Sequence, residues 1–233
     1  MKTFTIGKKK IVLKEEWMVG FITTWIVGLL AHAYRFFNFL PIWDSIYNFT
    51  GVGSTYTLGR WFLGYAGLIT SMFDLPWVNG AFSLFYISIV VILLTEMFEI
   101  KNKGMIVLCA AIFVSFPTVV SSFAYMYTAD AYLLAFLLAT LAVYLTWCVK
   151  KWGTIAGMVC LAFAMGIYQA YATVAIVLVL LYIIRQFVIE KLDFLEAVRK
   201  DLKYLGMLVG GAVLYAVILK ITLIRYNITL PGY

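Results

Sequence analysis

Long apolar runs, interrupted by short basic segments, fill most of this 233-residue chain. Hydrophobic residues make up 64% of it and charged residues only 12%, whereas soluble domains have about 25% charged residues. A water-soluble fold has no way to bury so much apolar surface, so the lipid bilayer must be the solvent of these runs. We therefore predict one integral membrane domain, residues 1–233. The net charge of +7 belongs in its loops and does not indicate nucleic acid binding.

The apolar runs predict an all-α membrane protein, a polytopic helical bundle of about seven transmembrane helices. The predicted spans cover residues 17–36, 76–98, 105–123, 129–149, two parts of 153–190, and 204–224. The segment 153–190 is too long for one crossing at about 1.5 Å per residue, so we expect a break near residues 168–171. The shorter apolar segment 61–73 suits an interfacial helix in the first outer loop, and the charged segment 190–203 suits an amphipathic helix on the membrane surface.

The distribution of basic residues predicts the orientation of the chain. With these spans, 14 of the 18 lysines and arginines lie on one face of the membrane, beginning with the N-terminal segment 8–14. Cytoplasmic loops carry an excess of lysine and arginine, so this face and the N-terminus are predicted to be cytoplasmic. The basic residues left for the outer half are Arg35, Arg60, Lys220 and Arg225.

Three acidic residues, Asp44, Asp74 and Asp130, fall on the predicted outer face among aromatic side chains. An ionisable group at the mouth of an apolar span is costly, which makes it a candidate functional residue. A carboxylate there can act as a general base on a hydroxyl, and an arginine can bind the phosphate of a lipid carrier. Tyrosine and tryptophan rings suit a sugar at an interface. This combination predicts glycosyl transfer from a lipid-linked donor, and it also fits a lipid transporter.

Structural interpretations remain open for each of these residues. Asp44 and Asp130 stand where they could cap helices, and Asp74 stands at the entry to the second span. Arg35 and Arg60 can extend to phospholipid headgroups, and the tyrosines can form an ordinary aromatic belt. Histidines, cysteines and carboxylates do not occur at metal-ligand spacing in the sequence, so we predict neither a metal site nor a cofactor.

Four segments carry a resemblance to a known family: AHAYRFFNFLPIWDSIYNF, LGRWFLGYAGLI, FPTVVSSFAYMYTADAYLLAFLLA and MGIYQAYATVAI. They resemble the Gtr-type membrane glucosyltransferases, the broad family of the serotype-converting enzymes of bacterial O-antigens, over about residues 17–189. The resemblance implies a GT-C type fold and a polyprenyl-phosphate sugar as donor, with glucose the expected hexose. It also implies a cell-surface polysaccharide or glycolipid acceptor and a reaction on the outer face of a bacterial plasma membrane.

The resemblance also implies roles for single residues. Asp44 matches the acidic catalytic residue of the first outer loop, and Asp130 matches the acid of the second outer loop. Arg60 matches the arginine of the GRW segment, and Tyr168 and Gln169 match a polar pair near the end of the fifth span. The expected catalytic residues are Asp44 and Asp130, and the expected substrate-binding residues are Arg35, Arg60, Tyr127, Tyr168 and Gln169.

The chain departs from the family pattern in two respects. Asp44 is followed by Ser45, where many relatives carry a second acid, and the chain ends after the seventh predicted span, where relatives usually continue. We therefore expect it to be the N-terminal part of a longer architecture. Two other functions stay open: a transporter or flippase for a lipid-linked sugar, which broken helices and polar groups at the midplane would favour, and a non-catalytic truncated remnant.

Overall fold

A computed structural model of the protein describes residues 2–6, 9–48, 51–70 and 73–230. Lys8 of the basic N-terminal segment, and Ser71 and Met72 of the predicted interfacial helix, lie outside these ranges. The N-terminus forms an antiparallel hairpin of β1 (Lys2–Ile6) and β2 (Lys9–Leu13). The sequence patterns do not predict this hairpin. Helices make up most of the rest of the described chain, which confirms the all-α bundle.

The α-helices are numbered in chain order. They are α1 (Glu15–Phe37), α2 (Trp43–Tyr47), α3 (Leu63–Gly67), α4 (Pro76–Met97), α5 (Lys103–Ser115), α6 (Pro117–Ser122), α7 (Met126–Cys148), α8 (Gly153–Ile167), α9 (Ala172–Arg185) and α10 (Phe194–Tyr226). Short 3-10 turns cover Tyr56–Leu58, Leu68–Thr70, Phe123–Tyr125 and Gln169–Tyr171, and a π-helical turn covers Gln186–Glu190.

Five segments of the described chain are long and apolar enough to cross a membrane, which fits a multi-pass membrane protein. They are Glu15–Phe37, Pro76–Met97, Lys103–Cys148, Gln169–Glu190 and Leu195–Tyr226. This count of five is not exactly the predicted number of about seven, for two local reasons, and the predicted helical bundle still fits. The third and fourth predicted spans lie within one helical run of 46 residues. The fifth is the 15-residue α8, whose length of roughly 22 Å is less than the hydrocarbon thickness of about 30 Å.

Two breaks in the helices follow from local sequence. The predicted break at residues 168–171 is confirmed, because Tyr168 adopts extended backbone between α8 and the turn Gln169–Tyr171. Pro117 begins α6 after Phe116 leaves the helical conformation. Proline at the first position of a helix needs no backbone N–H, and it disfavours a helical residue before it.

Two predicted surface helices differ from the structure. The described part of the segment 61–73 contains α3, of five residues, and the turn Leu68–Thr70 in place of one continuous interfacial helix. The segment 190–203 does not form a separate amphipathic helix. Its second half is the first part of α10, which continues to Tyr226 over 33 residues. Without a glycine or proline between residues 194 and 205, nothing local ends that helix.

Helix α7 lies at the centre of the bundle, between α4 on one side and α8 on the other. Ala129, Ala135 and Ala139 are fully buried along it, so the neighbouring backbones can approach closely. Gly157 of α8 faces α7, and a Cβ added there would lie 2.7 Å from the carbonyl oxygen of Ala142. Small side chains therefore allow close packing along α7, and large side chains such as Leu84, Phe123 and Tyr204 fill the rest of the core. Many other large aliphatic side chains are exposed on the outer helix surfaces, as lipid contact requires.

The bundle has two chemically different ends. The Lys14 end, where α4, α7 and α9 finish, carries ion pairs between Lys14 and Glu96, Lys103 and Glu15, Arg185 and Glu99, Arg185 and Glu190, and Lys200 and Glu190. The Arg60 end, where α1, α6 and α8 finish, carries the segment 38–75 and its polar and aromatic side chains. The candidate site lies at the Arg60 end.

Candidate functional site

The segment between α1 and α4 is anchored to the bundle by its own small core. Val52, Leu63 and Ala66 are buried against Ala131 of α7 and Ile167 of α8. Because α8 is short, the segment between α1 and α4 can pack over the last turn of this helix. The segment is therefore held directly above α7 and α8.

Arg60 projects from this segment toward two tyrosines. Its Nη1 donates a hydrogen bond of 3.2 Å to the hydroxyl of Tyr132, and its guanidinium carbon lies 4.5 Å from the ring centroid of Tyr168. The rings of Tyr132 and Tyr168 are stacked at 5.6 Å. Arg60 Nε is buried and has no hydrogen-bond partner among the described residues. A half-buried guanidinium with unused donors on an aromatic platform is a suitable anion site.

An apolar groove of about 780 Å³ leads away from these tyrosines. Its walls come from α5, α6 and α9, and its floor comes from α7. Tyr132 and Tyr168 line its polar end together with Tyr125. The other lining residues include Phe116, Leu133, Phe136, Val174, Val177 and Leu181. The groove can therefore hold an apolar chain, and Tyr132 and Tyr168 at its polar end both contact Arg60.

Asp44 lies in the first turn of α2, and its side chain is exposed. Asn48 ends α2 by donating a 2.7 Å hydrogen bond to the Asp44 carbonyl oxygen. Gly53 stands between Asn48 and Tyr127, whose ring and hydroxyl lie 3.7 and 3.8 Å from the Cβ position of Gly53. Tyr127 interacts electrostatically with both Asp44 and Arg60. The structure thus brings Asp44, the predicted base, and Arg60, the predicted phosphate-binding residue, to the same region as Tyr127.

Asp130 is not at an open mouth, because its side chain is only 1% exposed. Thr70 Oγ1 donates a 2.9 Å hydrogen bond to its Oδ2, and Asn79 Nδ2 donates a 2.9 Å hydrogen bond to its Oδ1. Asn79 Oδ1 in turn accepts from the backbone N–H of Leu75. Both carboxylate oxygens of Asp130 are therefore occupied in joining α7 to α4 and to the turn Leu68–Thr70.

Arg35 is also occupied by the protein itself. Its Nε and Nη2 donate to the carbonyl oxygens of Phe123 and Ala124 at 2.8 and 2.9 Å, and its Nη1 donates to the carbonyl oxygen of Leu40. It thereby ties the end of α1 to the start of α7.

Asp74 lies near Arg35, and its Oδ1 is buried without a hydrogen-bond partner in the described part of the chain. Burial raises the pKa of Asp74, and the nearby charge of Arg35 opposes this effect.

Gln169 is placed on the segment that carries Arg60. Its Nε2 donates to the carbonyl oxygen of Leu58 at 2.7 Å and to the hydroxyl of Tyr215 at 2.9 Å. Its amide nitrogen therefore contacts the backbone next to Arg60. Tyr168, the preceding residue, contacts the Arg60 side chain instead.

Sequence reasoning missed Tyr132 and Tyr215. Tyr132 is the last residue of the YTADAY motif, but two residues along a helix turn a side chain by about 200°, so it faces away from Asp130. The helical rotation therefore predicts that Tyr132 lies on another face of α7 from Asp130, but it does not select Tyr132 as a site residue. Tyr215 is an isolated tyrosine in an apolar helix, and the sequence contains no signal for its role.

Comparison with known proteins identifies the family of the chain. The family model described as Glucosyl transferase GtrII matches residues 33–232. The chain belongs to this family. It is therefore a member of a glucosyltransferase family, and the match includes every candidate site residue from Arg35 to Tyr215. Neither a curated protein nor a solved structure matches the chain.

Proposed function

We propose that this GtrII family member is a membrane glycosyltransferase that moves a hexose, glucose by family, from a polyprenyl-phosphate donor to a cell-surface polysaccharide or glycolipid. The observation that carries the proposal is the contact of Arg60 with two tyrosines of the apolar groove. Tyr132 and Tyr168 line the groove and both contact the guanidinium. A lipid phosphate suits this arrangement, because its chain is apolar and its phosphate is anionic.

The donor would bind with its isoprenoid chain along the groove and its phosphate at Arg60. Apolar side chains of α5, α7 and α9 would replace lipid around the chain. The planar donor fork of the half-buried Arg60 guanidinium suits a phosphate oxygen. The sugar would then project beyond the groove toward Tyr127 and Asp44, where tyrosine rings offer flat surfaces to a sugar.

The chemical step we propose is displacement at the anomeric carbon. The Asp44 carboxylate takes the proton of an acceptor hydroxyl, and the acceptor oxygen forms a bond to the anomeric carbon. The bond between that carbon and the phosphate oxygen breaks, and the bonding electrons leave with the polyprenyl phosphate. Arg60 stabilises the charge that grows on the leaving phosphate.

The other predicted site residues receive different roles in this proposal. Tyr127 and Tyr168 contact the sugar and the Arg60 side chain, respectively. Asp130 and Arg35 act as positioning residues, because their polar atoms are already bound to Thr70, Asn79 and backbone carbonyls. The fold would be of the GT-C type in a bacterial plasma membrane, with the Lys14 end cytoplasmic and the Arg60 end outside. The segregation of basic residues supports this orientation.

Purified protein in detergent, supplied with polyprenyl-phosphate glucose and the acceptor, tests the proposal. We expect Asp44→Asn to lower kcat by about 100-fold or more, the usual contribution of a general base. Arg60→Ala should raise KM for the donor and lower kcat, since the phosphate is held in both states. Arg225→Ala removes an exposed arginine at the same end of the bundle and serves as the matched control.

Turnover in detergent also separates an enzyme from a transporter, because a transferase does not need two compartments. Activity of Asp44→Asn at the wild-type level would contradict the assignment of the base. Movement of the lipid-linked sugar across vesicles without any transfer would contradict the enzyme as a whole.

A further inference from the structure

Two side chains hold the turn that presents Arg60. The carbonyl oxygen of Leu58 accepts a 2.7 Å hydrogen bond from Gln169 Nε2, and the carbonyl oxygen of Gly59 accepts a 3.0 Å hydrogen bond from the hydroxyl of Tyr215. Gln169 Nε2 also donates to the Tyr215 hydroxyl at 2.9 Å. Both hydrogens of the amide and the single hydroxyl hydrogen are therefore used. We call Gln169 and Tyr215 the turn clamp.

The turn fits the clamp only because residue 59 is glycine. Gly59 has φ of 72°, a left-handed conformation that side chains disfavour. A Cβ there would lie 2.6 Å from Gln169 Nε2 and 2.8 Å from the Tyr215 hydroxyl. The backbone and the clamp are in close contact, so a small displacement of either one moves the other.

The chain is fixed on the other side of Arg60 as well. The backbone N–H of Phe62 donates a 2.8 Å hydrogen bond to the carbonyl oxygen of Gly166, the residue before the end of α8. Trp61 packs on Gly166, where a Cβ would lie 2.6 Å from its ring. Arg60 is thus the residue between two anchored points, and its direction depends on both.

We propose that Gln169 and Tyr215 are positioning residues that aim Arg60 at the donor phosphate. The inference rests on the proposed function of Arg60, and it changes the expected role of Gln169 from substrate contact to backbone support. It also makes α10 part of the active arrangement. Only 11% of the α10 span is buried. The hydroxyl of Tyr215 on this helix nevertheless binds the turn that carries Arg60, the proposed phosphate-binding residue.

The test compares Tyr215→Phe with wild type, using polyprenyl-phosphate glucose for turnover and polyprenyl phosphate alone for binding. We expect Tyr215→Phe to lower kcat by about 10-fold, because a misdirected catalytic group loses transition-state contact. It should weaken polyprenyl phosphate binding severalfold and leave KM for the acceptor unchanged. Tyr144→Phe is the matched control, since Tyr144 lies near the Lys14 end of α7 and contacts neither the turn nor the groove.

A double-mutant cycle with Arg60→Ala separates positioning from general stability. If the clamp acts through Arg60, Tyr215→Phe has no further effect on polyprenyl phosphate binding once Arg60 is removed. Full additivity of the two effects would overturn the inference. Gln169→Glu removes the amide donors at nearly constant shape, and it gives the same test if Tyr215→Phe does not fold.

The two proposals fail in different ways. If Arg60→Ala binds polyprenyl phosphate like wild type, then the phosphate role of Arg60 is wrong. If Arg60→Ala is impaired while Tyr215→Phe and Gln169→Glu behave like wild type, then Arg60 keeps its role and the clamp does not position it.

Discussion

At the scale of single residues, Asp130 shows how a buried carboxylate is kept in this bundle. Thr70 and Asn79 supply one hydrogen bond to each of its oxygen atoms, so no acceptor is left without a donor. A buried polar group is tolerated when it is hydrogen-bonded and costly when it is not. Asp130 can therefore be explained by its contacts, whereas Asp44 is exposed and Arg60 keeps a buried donor without a partner among the described residues.

A pair of substitutions distinguishes bracing from chemistry at Asp130. Asp130→Asn should keep activity within a few-fold of wild type, because the Thr70 hydroxyl can accept from the new amide while Asn79 still donates to its oxygen. Asp130→Ala should lower the free energy of unfolding by about 1–3 kcal/mol, because it leaves buried donors unpaired. Thermal unfolding and turnover measured on both variants check this. A loss of about 100-fold for Asp130→Asn with unchanged stability would restore the predicted catalytic role.

Asp74 predicts a pH dependence of stability. Its pKa is raised in the folded protein because burial disfavours the charged form. A carboxyl group with a raised folded-state pKa stabilises the fold fully below its unfolded pKa, and that contribution is lost as pH rises through the folded-state pKa. Asp74→Asn removes the ionisation, so this variant should gain stability relative to wild type as pH rises from about 4 to neutrality.

Unfolding midpoints in detergent across that pH range measure the difference between Asp74→Asn and wild type. The opposite trend, with Asp74→Asn losing stability relative to wild type toward neutral pH, would mean that attraction to Arg35 outweighs the cost of burial.

At the scale of elements, the break between α8 and α9 produces most of the site. Tyr168 leaves the helical conformation, so its ring lies under Arg60, and Gln169 follows at once with its amide on Leu58. Because α8 is short, the chain next to the GRW segment packs on the end of this helix, where the backbone N–H of Phe62 donates to the carbonyl oxygen of Gly166. A continuous helix through residues 153–190 would remove all of these contacts.

The groove beside α9 gives a prediction about donor length. Val177 lines the groove and is 51% exposed, so Val177→Trp should fill it and raise KM for a long-chain polyprenyl donor severalfold. A donor with a short, water-soluble isoprenoid chain should be unaffected, since it does not reach that depth. Turnover with both donors measures this.

The matched control for the groove is Val209→Trp. Val209 has a similar exposure of 55% but lies on α10, outside the groove. Equal effects of Val177→Trp on long and short donors would show that the chain does not lie in this groove.

At the scale of the whole molecule, charge and chemistry are divided between the two ends of the bundle. Ion pairs of Lys14, Arg185 and Lys200 occupy one end, and the aromatic site occupies the other. Surface ion pairs contribute little energy each, so their value here is to keep charged groups at a membrane surface and not within it. The site end carries fewer charged residues, and Asp44 and Arg60 are the two that the proposed chemical step uses.

The sequence by itself determined the class of fold, the main helices and the break near residue 168. These depend on apolar length and on local backbone preference, which neighbouring residues decide. It did not predict the exact number of long apolar segments, because α8 is shorter than the usual span and the third and fourth predicted spans fall in one segment, Lys103–Cys148. It also pointed to Asp44 and Arg60 through the resemblance, without showing that they share a region.

Only the tertiary structure decided which groups each polar residue of the site contacts. Asp130 meets donors 60 and 51 positions away, and Tyr215 reaches a carbonyl oxygen 156 positions away. Hydrogen-bond partners so distant in sequence are chosen by helix packing, which no local pattern records. For the same reason Arg35 and Gln169 look like ligand-binding residues in the sequence and prove to be bound to backbone carbonyls, while Tyr132 and Tyr215 carry no signal strong enough to select them.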